Sequence, residues 1–161
     1  MAGLVRTGAR HQRAARRAGE GGKRTEYLAF TLAGEAYAVQ IAFIAEILKP
    51  PPITEVPRAP RNILGVVSVR GKLVTVVDLR RRFQLAESPI DRKSRILLTD
   101  LGLGEQIGLL VDEVLQVYRL AESELEAASA LGGDQPAHIA GIGRPPGQLL
   151  VLLDLRPILE T

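Results

Sequence analysis

Tyr27–Leu32 alternates apolar and smaller positions, turns at Ala33-Gly34-Glu35 and resumes over Ala36–Val39, which predicts a β-hairpin. Residues 41–48 place Ile41, Ile44, Ile47 and Leu48 at helical spacing with Glu46 on another face, so the pattern predicts a short helix there. Pro50-Pro51-Pro52 ends it, since proline brings no amide and restricts the residue before it. A short strand, Ile53–Val56, comes next, followed by Pro57, Pro60 and a turn at Asn62. Gly65–Val69 and Leu73–Val77 read as strands joined at Arg70-Gly71-Lys72, and Asp78 is placed to cap a helical turn over Leu79–Phe83. Further strands are expected at Arg95–Thr99, Gln106–Val111 and Val114–Leu120, with a turn at Gly102-Leu103-Gly104. A short acidic helix near Glu122–Ala127 and a loose stretch, Ser129–Pro136, precede Ile139–Gly143, and Leu149–Leu153 feeds a last helical turn.

The two halves echo each other. Gly71-Lys72-Leu73-Val74-Thr75-Val76-Val77-Asp78-Leu79-Arg80 aligns with Gly147-Gln148-Leu149-Leu150-Val151-Leu152-Leu153-Asp154-Leu155-Arg156, five of ten positions being identical. The same offset pairs Ile63 with Ile139, Gly65 with Gly141 and Val66 with Ile142, while Gly34-Glu35 pairs with Gly104-Glu105 at a slightly shorter one. A period this long is no solenoid repeat. It points to two copies of a small unit of about five short strands, which usually curl into barrels that hide their edges.

Charge divides the chain differently. Of 21 basic and 18 acidic residues, the first 24 positions hold seven bases (Arg6, Arg10, Arg13, Arg16, Arg17, Lys23, Arg24) and one acid, Glu20. The remainder has 14 bases and 17 acids and is net acidic. The basic segment has almost nothing to bury, so residues 1–25 are expected to be a disordered tail. The chain has no cysteine, no run approaching ~18 apolar residues, and no apolar stretch behind the N-terminal arginines. A reducing, cytoplasmic location is expected, without a membrane span.

Chemistry is sparse. His11 falls in the tail and His138 in a loop, so neither a triad nor a two-His metal site can be assembled. Gly102-x-Gly104 is too short for a dinucleotide fingerprint. Asp112 and Glu113 are adjacent and point opposite ways on an extended chain, which makes a poor acid/base pair. An enzyme is not expected, nor a metal, cofactor or small-molecule substrate. Nucleic-acid binding by a small β-barrel aided by the basic tail is the alternative. The acidic body and its three Phe and three Tyr argue against it.

Several motifs in order carry a family resemblance. Tyr27-x-x-Phe30-x-Leu32 followed by Tyr37-Ala38-Val39-x-Ile41-x-x-Ile44-x-Glu46-Ile47 resembles the opening of a CheW domain. So do Pro60-x-x-Ile63-x-Gly65-Val66-x-x-x-Arg70-Gly71, Val76-Val77-Asp78-Leu79-Arg80, Gly108-Leu109-Leu110-Val111-Asp112-x-Val114-x-x-Val117, and Ile139-x-Gly141-Ile142. The resemblance covers residues 26–160. It implies an all-β fold: two SH3-like five-stranded barrels from an internal duplication, packed on a shared apolar core, with a few short helices. The first barrel would lie mainly within about 35–90 and the second within about 94–153, with room for terminal segments to be exchanged.

The implied function is a non-enzymatic adaptor that couples chemoreceptor hairpin tips to the regulatory domain of the histidine kinase CheA in a bacterial chemosensory array. Carried over position by position, Ile44, Glu46, Arg70 and Val117 would bind receptor in the groove between the barrels. Ile53 and Gly65 would face the kinase. Four of these also have a plainer role: core packing for Ile44 and Val117, a solvated turn for Arg70, tight packing for Gly65. Two positions depart from the family pattern: Ser68 stands where Asn is usual, and Thr75 where Pro is frequent.

Overall fold

The computed structural model describes residues 23–102 and 104–160. The tail expected over 1–25 falls mostly outside them, but Arg24 and Thr25 do not belong to it. They open strand β1 (Arg24–Leu32) and pair with Ala121 and Leu120. β2 (Glu35–Gln40) completes the expected hairpin through a tight turn at Ala33 and Gly34, both at positive φ.

The segment 41–48 is not the helix its spacing suggests. Ile41–Phe43 forms one 3₁₀ turn and β3 (Ile44–Leu48) is a strand, with Ile47 opposite Leu97 and Leu48 opposite Ile96. Eight residues are too few for a helix to hold without tertiary help, whereas β-branched side chains suit a strand with a partner. The strand expected at Ile53–Val56 shrinks to a single bridge, Thr54 to Val66, between prolines that bring no amides.

β4 (Ile63–Val69) and β5 (Lys72–Asp78) form the next hairpin, and α1 (Leu79–Arg82) follows. β6 (Arg95–Asp100), β7 (Gln106–Val111) and β8 (Glu113–Ala121) come next. Over the expected acidic helix the chain makes a 3₁₀ turn, Glu122–Glu124, and a short strand, β9 (Leu125–Ala127). β10 (Ile139–Gly143), β11 (Leu150–Leu153) and α2 (Leu155–Leu159) finish the chain.

The strands form two mixed sheets, in the order β9-β10-β11-β2-β1-β8 and β3-β6-β7-β5-β4. The all-β class stands, and among the described residues neither order closes into a ring. The sheets do not follow the expected division at 35–90 and 94–153. The central segment, 44–111, supplies the five-stranded sheet, and the two ends supply the six-stranded one. Two links explain this. Ile41–Phe43 and the single residue Asp112 are too short for a return turn, so the chain passes straight from one sheet into the other.

The duplication is visible in the backbone. Asn62 O accepts from Asp78 N, and His138 O from Asp154 N; Pro60 O accepts from Ile63 N, and Pro136 O from Ile139 N. Both hairpins carry an irregularity at the same place, Ile63/Gly65 and Ile139/Gly141. Both end on an aspartate N-cap, Asp78 accepting from Arg80 N and Asp154 from Arg156 N. Each of these hairpins lies parallel to a hairpin from the other repeat: β5 beside β7, and β11 beside β2. The repeats have exchanged their leading hairpins.

Burial follows this arrangement. Val67, Val74, Val76, Ile96 and Leu98 fill the five-stranded sheet, and Tyr27, Ala29, Ala38, Leu150 and Leu152 the six-stranded one. Between the sheets lies a shared core of Leu28, Phe30, Leu32, Val77, Leu97, Leu109, Val111, Leu153 and Ile158 among others. Because β6 and β7 bury both faces, they read as continuous apolar runs.

Candidate docking site

Arg70 sits at the tip of the β4–β5 hairpin, where Val69 pairs with Lys72. With Arg70 at φ +48° and Gly71 at φ +83°, the two residues form a primed turn matching the twist of the strands. A non-glycine residue in the left-handed region costs about 1 kcal/mol, so arginine is not the residue the turn itself would favour. Its guanidinium reaches β3 and grips Glu46 with both ends: Nη1 donates to Oε2 at 3.2 Å and Nη2 to Oε1. The Arg70 side chain nevertheless stays 69% exposed. Hydrogen bonding from Arg70 lowers the Glu46 pKa, and the pairing raises that of Arg70, so both charges persist at neutral pH. So exposed a pair adds little to stability. It does hold a flat, doubly oriented polar group above the β3 edge.

The other expected receptor-facing positions divide. Ile44 is half-buried and packs against the shared core, so its plainer role is visible. Val117 is 43% exposed on β8, an edge strand of the other sheet, and it stands opposite Leu28 of the shared core. Ile47, which helical spacing assigned to a buried face, is 42% exposed opposite Leu97 on edge strand β3. Leu28 and Leu97 occupy matching places in the exchanged hairpins: Ala29 pairs with Ala38 and Leu98 with Gly108. Ile47 and Val117 are therefore repeat counterparts, one at each sheet's edge. Strand alternation over 44–48 would have revealed Ile47; the helical spacing concealed it.

Ile53 and Gly65 are brought together. A Cβ on Gly65 would lie 2.3 Å from Thr54 O and 2.8 Å from Ile53 Cγ2, so glycine is what lets residues 53–54 lie against β4. Ile53 is half-buried against the five-stranded interior. Gly141 repeats the device, with Glu126 O 2.2 Å from its hypothetical Cβ.

A second ion pair, hidden in the sequence, ties the sheets together. Arg80, just after the Asp78 cap, donates from Nε to Asp112 Oδ1 at 2.9 Å and from Nη2 to Oδ2 at 2.6 Å. Asp112 also accepts from Ala33 N at 2.8 Å, and Arg80 Nη1 donates to Ala86 O at 2.6 Å. Burial pushes the Asp112 carboxyl up, but the bonds from Arg80 and Ala33 outweigh it and the pKa is lowered. Asp112, weighed above as half of a poor acid/base pair and as part of a family motif, joins α1, the β1–β2 turn and the point where the chain changes sheet.

Two sheets on one core, with an exposed charged clasp and an exposed apolar residue at each sheet's edge, define a two-sheet β module whose exposed features lie along its edge strands. Residues 26–161 match the CheW-like domain model, and the chain belongs to that family. It is 31% identical to the chemotaxis protein CheW of Bacillus subtilis, covering 83% of this chain and 85% of that one. It is 28% identical to CheW of Helicobacter pylori (84% and 81% covered) and 28% identical to protein FrzA of Myxococcus xanthus (84% and 86%). Among solved structures it is similar to the scaffolding protein TtCheW from Thermoanaerobacter tengcongensis, with a TM-score of 0.78 and 29% identity over 86% of this chain and 94% of that one. The nucleic-acid alternative finds no support among these relatives.

Proposed function

We propose that this chain is a non-enzymatic coupling adaptor that joins the tips of chemoreceptor helical hairpins to the regulatory domain of the histidine kinase CheA, in the cytoplasm at the inner face of a receptor array. Membership in the CheW-like family and likeness to a scaffolding protein support the adaptor role. No helix of the described residues is long and apolar enough to cross a membrane. The observation that carries the receptor assignment is the exposed Glu46–Arg70 clasp. It presents an oriented guanidinium on a turn that would be relaxed by another residue, and such an arrangement suits recognition of polar groups on an amphipathic partner. Ile47, next to Glu46 on β3, and Val117, on the edge strand of the other sheet, supply apolar contacts, with Ile44 packed on the core as support. Ile53, held in place by Gly65, marks the kinase face on the five-stranded sheet.

Titration of a soluble receptor-tip hairpin tests this. Arg70→Ala should keep its thermal midpoint within a few degrees while affinity falls at least about tenfold, or about 1.4 kcal/mol. Arg70→Glu should bind more weakly still, because it also repels Glu46. Unchanged affinity for both variants refutes the receptor assignment.

A further inference from the structure

Where β3 ends and β8 begins, Lys49, Arg92, Lys93 and Arg95 converge on a cavity of about 430 Å³ whose remaining walls are Glu113 and Val114. Four cations against one acid stand out on a body that is net acidic. None of the four forms an ion pair among the described residues, whereas several other arginines near the sheets do: Arg70 with Glu46, Arg80 with Asp112, Arg81 with Glu87, Arg144 with Glu126. The turn beneath is rigidly built. Asp91 accepts from Lys93 N at 2.8 Å and from Ser94 N at 3.2 Å, and Arg95 Nη1 donates to Arg92 O at 2.8 Å and Ser94 O at 2.7 Å. That turn spends its own carboxylate on backbone amides and leaves the cationic heads of Lys49, Arg92 and Lys93 without a partner.

We propose that this cavity receives acidic side chains of the same helical partner that docks on the Glu46–Arg70 clasp; the inference rests on that reading of the docking face. The occupant follows from continuity. Lys49 directly follows β3, which carries Glu46 and Ile47, and Glu113 and Val114 open β8, which carries Val117. A segment lying along these edge strands passes from the clasp to the cavity. Glu46 and Lys49 are about 10 Å apart along an extended strand, and about two turns of helix span that distance. The partner should therefore carry carboxylates roughly two turns from the group that meets Arg70. Paired cations and anions at the mouth of a groove raise the association rate and fix the register of docking.

The test compares the full chain, Arg70→Ala, and a variant combining Lys49→Gln, Arg92→Gln and Lys93→Gln. Arg95 is kept because its guanidinium holds the turn. Each is titrated with a receptor-tip hairpin fragment from about 0.05 to 0.5 M salt, with circular dichroism as the folding check. The triple variant should bind about tenfold more weakly at low salt, and the gap should close as salt screens it. Arg70→Ala should remain weak throughout. If the triple variant binds like the full chain at every salt while Arg70→Ala is impaired, the cavity inference is wrong and the docking face stands. If the full chain binds no hairpin, the docking reading fails and this inference with it. If the full chain binds vesicles containing phosphatidylglycerol and the triple variant loses that binding while keeping hairpin affinity, the cavity serves a lipid surface and the inference is overturned.

Discussion

Replacing Asp112 by Asn keeps the shape of the side chain and removes its charge, which makes it a sharp probe of how the sheets are held together. The native carboxylate accepts twice from Arg80, at 2.9 and 2.6 Å, and once from Ala33 N at 2.8 Å. Both side chains of the pair are mostly buried, 17% exposed for Arg80 and 29% for Asp112. An amide can still accept from Ala33 N, but its NH₂ faces the guanidinium and one of the two charge-assisted bonds is lost. Such a bond is worth about 1.5–3 kcal/mol, and partial exposure places this one near the lower end, at about 2 kcal/mol. For a body of this size each kcal/mol moves the midpoint by about 3–5 °C, so Asp112→Asn should melt about 6–10 °C lower. The sign with pH follows from the lowered pKa. The contribution is fully present above the ordinary carboxylate value of 3.8 and is lost as pH falls through the lower folded value, where the native Asp112 also becomes neutral. Calorimetry at neutral pH and near pH 3 should show a large gap that narrows in acid. A shift under about 2 °C at neutral pH, or a gap that widens in acid, would refute the clamp.

Gly65→Ala should shift residues 53–54, lowering stability by about 1–3 kcal/mol and weakening kinase binding as well. Gly141→Ala, its repeat counterpart on the other sheet, should cost a similar amount with kinase affinity unchanged; calorimetry and a kinase-domain titration separate the two. His138 stacks on Phe83 with ring centroids 4.2 Å apart, and its pKa is lowered by burial and then by Arg82. Its NMR titration should therefore fall below the ordinary 6.5, and its contribution to stability, intact above 6.5, should be lost as pH falls from 6.5 through the lower folded value, because the unfolded chain takes the proton first. A midpoint above 6.5 would contradict the packing.

Much of the molecule was determined locally and could be read from the chain alone. Alternation sets β1, β2, β4, β5 and β10, because a strand with one buried face must repeat every second residue, while β6 and β7 show as continuous apolar runs because both their faces are buried. Turn chemistry marks Ala33-Gly34 and Arg70-Gly71, and Asp78 and Asp154 announce the helical turns they cap. The echo between the halves follows from the same local rules applied twice, and the resemblance that named Glu46 and Arg70 rests on motifs of this kind. What the tertiary structure decided is whatever depends on a distant partner. Residues 44–48 are a strand because β6 lies beside them, not because of their own spacing. The leading hairpins of the repeats are nearly equivalent in pattern, so either could pack in either sheet. The short links at Ile41–Phe43 and Asp112 force each across to the other. The grip of Glu46 on Arg70 joins residues 24 positions apart and the Arg80–Asp112 clamp residues 32 apart, while the cationic cavity spans 65 positions from Lys49 to Val114, and no local pattern records such meetings. Side chains so far apart meet only when the shared core brings two sheet edges into register.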